Sequence, residues 1–156
     1  MRRANIIGLV LFITLSVSNG SGQKKPQQTE TSPVPQKAKI LVHLTQGTEN
    51  STRAALAFLV ARTAIEEGHA VSLFLAGDAV QLVRDSVLDS LTGLGTGKLR
   101  EHYDAIVKGG GKFYLSGMSS RARGLTDVDL KAKPAEFATP SKLLRLSLEH
   151  DRMFTY

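Results

Sequence analysis

The chain has 156 residues, about one domain's worth on the usual range of roughly 100 to 200 residues per domain. Hydrophobic residues make up 42% and charged residues 22%, enough apolar material for a packed core and too much for a wholly disordered chain. No cysteine occurs, and most of the net charge of +6 lies in the first 37 residues, where five basic residues face Glu30 alone; thiol, persulfide and disulfide chemistry are excluded. The rest of the chain carries 15 basic and 13 acidic residues, so no basic stripe exists and no nucleic-acid partner is expected.

Met1, Arg2 and Arg3 precede an uncharged apolar run from Ile6 to Val17. That run suits a secretory signal and falls short of the roughly 20 residues needed to cross a bilayer. Residues 1–22 are expected to be a signal peptide, cleaved after Gly20 or Gly22, with an uncleaved anchor as the alternative. An exported protein, periplasmic or secreted, without a stable membrane span after cleavage is the expectation. Residues 23–37 (QKKPQQTETSPVPQK) hold one large apolar residue, Val34, and read as a flexible linker.

The folded body is expected over residues 38–156. Lys39 to Thr45 reads as a buried strand. Asn50 or Ser51 caps a helix that runs to Gly68 with two apolar stripes, Ala54, Phe58, Ala61 and Ile65 on one and Leu56, Leu59 and Val60 on the other. Two stripes call for two neighbours, the sheet and either a helix or another subunit. Ala70 to Ala76 is a second strand, after which Gly77-Asp78 opens a helix with Asp78 as its cap. Gly93 to Gly97 is a joint, and Leu99, Tyr103 and Ile106 mark a helix ending at Gly109. Lys112 to Leu115 is a third strand, Ser116 to Gly124 a loop, Leu125 to Lys133 a short helix and Ala135 to Ala138 a brief fourth strand. Thr139-Pro140 starts the last helix, and Met153 to Tyr156 forms an edge strand.

Alternating strands and helices predict an α/β fold with a parallel sheet, helices on both faces and a site beyond the carboxyl ends of the strands. The segments KILVHLTQG, ALAFLVARTAIEEGHAVSLFLAGDAV, FYLSGMSSRARGL and ATPSKLLRLSLEHDRMFTY resemble the DsrE/DsrF-like sulfur-relay family across the whole body. The resemblance implies a flavodoxin-like three-layer sandwich with a mostly parallel sheet of about five strands. It also implies a homo-oligomer, a trimer or hexamer, with a hetero-oligomer containing a cysteine-bearing relative as the alternative. Relay members carry sulfur as a persulfide on a cysteine at the end of the third strand; Ser116 stands at that position here, and Ser119 where some members have a second cysteine.

A serine cannot carry sulfane sulfur, so persulfide transfer by this chain alone is not expected. Two uses of the segment remain open. Thr45, Gln46, Ser116, Ser119, Ser120, Arg121, Arg123 and Gly124 make a candidate small-ligand or anion pocket of hydroxyls, backbone N–H groups and guanidinium groups. The contrary reading pairs an arginine with a carboxylate of a neighbouring subunit and leaves the serines as turn caps. An enzyme acting on a small anionic or sulfur-containing substrate is the rival from another class; it needs a base for Ser116, and His43 and His102 are the central candidates. Gly95-Thr96-Gly97-Lys98 lacks the hydroxyl residue and first glycine of a phosphate loop. Asp127 and Asp129 lack the rest of a calcium loop, and the four histidines lack zinc spacing, so neither metal nor cofactor is expected.

Overall fold

The computed structural model describes residues 36–156. The expected signal peptide, residues 1–22, and residues 23–35 of the expected linker lie outside the described residues. Five strands, β1 (Lys39–Leu44), β2 (Ala70–Leu75), β5 (Lys112–Ser116), β6 (Ala135–Ala138) and β7 (Arg152–Thr155), form a parallel sheet in the order β6-β5-β2-β1-β7. The chain thus steps outward from β1 to β6 and returns to place β7 on the other side of β1, in register Leu41 with Met153 and Val42 with Phe154.

Successive strand residues point to opposite faces, and the two faces are covered unequally. Ile40, Val42, Leu44, Leu73, Leu75, Phe113 and Leu115 meet α1 (Ser51–Glu66) and α3 (Leu99–Lys108) in the larger core. Alanine at positions 54, 55, 57, 61 and 64 of α1 lets neighbouring backbone approach closely. The rings of Phe58 and Tyr103 sit 5.8 and 5.1 Å from that of Phe113, and burial pushes the Tyr103 phenol up to about 12. Leu41, Phe74, Tyr114 and Ala138 face the other way, where α6 (Pro140–Glu149) contributes Leu146.

The caps follow the sequence. Asn50 accepts the Arg53 N–H at 3.1 Å, and Thr139 accepts that of Lys142 at 3.3 Å, with Pro140 in the first turn of α6. The edge strand occupies Arg152–Thr155, one residue earlier than expected. Three segments differ more. Gly77–Val83 is a 3-10 helix, followed by α2 (Asp85–Ser90), because Gly77 adopts φ +54° and the Ala79 N–H is shared between the carbonyls of Thr45 and Ala76. The Gly93 to Gly97 joint is a tight hairpin of β3 (Thr92–Gly93) and β4 (Gly97–Lys98). The Ser116 to Gly124 loop is helical, as α4 (Gly117–Ala122), and α5 (Asp127–Leu130) is closed by a capping box between Thr126 and Asp129.

Candidate functional site

Ser116 ends β5 and caps α4. Its Oγ accepts the Ser119 N–H at 3.4 Å and the Ser119 hydroxyl at 3.1 Å. Ser119 Oγ in turn accepts the Gly77 N–H at 3.0 Å. Two serines and one backbone amide therefore form a relay of hydrogen bonds across the carboxyl ends of β5 and β2. Gly77 is held there for a steric reason as well, since a Cβ on it would lie 2.9 Å from the Thr45 carbonyl oxygen.

The far end of α4 is fixed by charge. Arg123 Nε donates to Asp78 at 2.7 Å, and its Nη1 donates to the Ser119 carbonyl at 3.3 Å. Asp78 does not cap the helix that follows it; its carboxylate is the partner of Arg123, within the same chain rather than across a subunit boundary. Arg84 donates to the carbonyls of Arg123 and Gly124, each at 3.1 Å, and lies 3.3 Å from Asp129. The Thr126 N–H and then the Arg84 guanidinium hold the Asp129 carboxyl below its ordinary range. Gly124 takes φ +64°, which releases the chain from α4.

The eight candidate residues thus divide. Ser116 and Ser119 meet directly, and Thr45 reaches them through the Gly77 turn. Thr45 Oγ1 itself donates to the Tyr156 carbonyl at 3.3 Å. Arg123 is committed to Asp78. Arg121 lies elsewhere, with Gly117, Ser120, Leu125 and Phe137 around a cavity of about 80 Å³. The Ser120 hydroxyl is buried without a partner among the described residues, as is the Gln46 side-chain oxygen. One anion pocket gathering all of them does not form within the described chain. Sequence reasoning missed Asp78, Gly77 and Arg84 as the residues that seat α4; the Gly-Asp pair directly after β2 was the available signal.

Neither candidate base reaches Ser116. His43 stands on β1 with β2 between it and β5 and in the row of Tyr114 rather than Ser116, about 12 Å away at ordinary strand spacing and rise, and packs edge-on to Phe74 at 5.9 Å. His102 lies on α3, on the opposite face, with Nε2 2.6 Å from the Thr96 carbonyl. Burial lowers the His43 pKa from 6.5, so the folded state holds the neutral ring while the unfolded chain takes up the proton first. Stability is therefore expected to fall as the pH drops below about 6.5. Urea titrations from pH 8 to 5 should show a shallower acid-side slope for His43→Gln; parallel profiles would remove His43 from the linkage.

Arg123→Ala is expected to lower stability by about 1 kcal/mol, because the ion pair with Asp78 is partly exposed and screened. Arg121→Ala should leave it nearly unchanged. Urea midpoints compare the two, and equal losses would mean that Arg123 does not seat α4.

The sequence profile of the DsrE/DsrF-like family matches residues 38–156. Among solved structures, the ychN protein from E. coli is similar with a TM-score of 0.60 at 16% identity, covering 78% of this chain and 100% of its own. A conserved protein of unknown function from Bacteroides thetaiotaomicron is similar with a TM-score of 0.57 at 10% identity, covering 76% and 95%. No curated protein matches. With the profile spanning the entire body, from just before β1 to the end of β7, the chain belongs to the DsrE/DsrF-like family.

Proposed function

We propose that this protein is an exported, oligomeric assembly component of the DsrE-like kind that does not carry sulfur. The observation that supports it best is edge strand β7. Met153 and Phe154 point to opposite faces of the sheet and are each 43% exposed, and no strand among the described residues pairs with the outer edge of β7. Leu144 and Leu148, one turn apart on α6, are also exposed. Apolar side chains grouped at a sheet edge and on the helix beside it in sequence are the composition of a subunit interface, and Leu56 on α1 is a further exposed apolar residue. A trimer or hexamer of this chain satisfies these faces; a mixed ring with a cysteine-bearing relative satisfies them too.

Native mass spectrometry of the protein recovered from its own compartment tests the reading. Three or six copies are expected, and Leu144→Glu with Leu148→Glu should reduce them to one without loss of helical circular dichroism. A monomer at micromolar concentration that also ignores cysteine-bearing relatives would sink the proposal. Amino-terminal sequencing of the same sample checks export, which requires the chain to begin near residue 21 or 23.

A second reading, a small anion held by α4, has one specific support: the Arg121 guanidinium, without an ion-pair partner among the described residues, and the buried Ser120 hydroxyl share the 80 Å³ cavity. A retained adduct lost in Arg121→Gln but kept in Leu148→Glu would favour it.

A further inference from the structure

Parallel sheets are ordinarily apolar on both faces because helices cover both. Here α6 alone, about 15 Å long at 1.5 Å per residue, contributes to the second core, and polar residues stand on the face it shares. Ser72 and Lys112 are register partners in the same row as Leu41, and Tyr114 and Glu136 are partners in the next. Between this face and α6 lie two cavities, of about 500 and 390 Å³, that meet at Lys112, Tyr114 and Lys142. They open toward the amino-terminal ends of the strands, away from Ser116.

The charges in this groove are unevenly matched. The Lys39 and Lys112 ammonium groups have no carboxylate within 4 Å among the described residues, although the Lys39 backbone N–H donates to Asp151 at 2.7 Å, while Lys142 is 3.8 Å from Glu136 and rides 4.7 Å over the Tyr114 ring. Lys133 is already held by Asp85 at 2.9 Å, and Glu149 is the remaining acid on the lining. At the back, His150 Nδ1 donates to the Leu146 carbonyl at 2.7 Å, and its Nε2 lies 3.1 Å from the Ser72 hydroxyl.

We propose that this groove is a binding site for a small phosphate-bearing anion, gripped by the ammonium groups of Lys39, Lys112 and Lys142 above Tyr114. Lysine ammonium groups are compact point charges suited to phosphate oxygens, and the volume admits a ligand larger than a single phosphate. Free phosphate esters and lipid headgroups share this chemistry.

Titration of the full-length exported protein with pyrophosphate, followed by calorimetry in low and physiological salt, tests the site. One saturable site per chain is expected. Lys112→Gln with Lys142→Gln should weaken it at least tenfold, whereas Lys98→Gln, on the exposed hairpin, should leave it unchanged. Lys112→Gln alone, at the exposed start of β5, keeps the test valid if the double variant melts early; it should weaken binding severalfold. Co-sedimentation with phosphatidylglycerol vesicles separates the sources: vesicle binding lost in the same variants assigns a headgroup, and pyrophosphate binding without it a soluble ester. No saturable binding, or equal weakening by Lys98→Gln, would overturn the proposal.

Discussion

Ser116→Cys is expected to take up one sulfur atom per chain from a low-molecular-weight persulfide, where the natural protein takes up none. The position needs little else. Residue 116 already caps α4 and receives the Ser119 N–H and hydroxyl, so a sulfur placed there is met by two donors that favour the thiolate and draw its pKa below about 8.5. The thiolate attacks the outer sulfur of the donor persulfide, the donor's S–S bond breaks, and the donor leaves as its own thiolate. Intact mass before and after treatment with a reductant reads the result. If the introduced thiol titrates normally and gains no sulfur, the hydrogen-bond relay through Ser119 is a helix cap and nothing more, and the sulfur-free reading of the site would rest on the missing cysteine alone.

Phe113→Ala is expected to cost about 3 to 5 kcal/mol, the usual loss when a buried aromatic leaves a cavity. Phe113 is 1% exposed and touches the rings of Phe58 and Tyr103, so it joins sheet, α1 and α3 at one point. Set against a total stability of roughly 5 to 15 kcal/mol, the variant should be partly unfolded at growth temperature. Urea unfolding with an unchanged slope would confirm it; a loss under about 2 kcal/mol would mean that α1 and α3 settle into the space.

The sheet was readable because its strands are short apolar runs bounded by glycine or capped helices, as at Gln46-Gly47 and Thr139-Pro140. Those signals are local. The segment from Ser116 to Gly124 misled for the same reason: Ser, Arg and Gly in a cluster spell a loop, and its helix exists because Gly77 and Asp78, some 40 residues earlier, supply partners for Ser119 and Arg123. Asp78 looked like a helix cap until a guanidinium competed for it. The lysine groove was invisible for a related reason, since Lys39, Lys112 and Lys142 become neighbours only through the order of the strands and the path of α6.

The position of β7 also bears on how the chain is made. β1, among the earliest residues of the body, acquires its second neighbour only when residues 152–155 arrive, through contacts such as that of Lys39 with Asp151 across 112 positions. Non-local closure of this sort is slow, because the cost of closing so long a loop comes before the contacts that reward it. Until residues 152–155 arrive, β1 stands as an open sheet edge whose unpaired backbone groups can take up a strand from another chain.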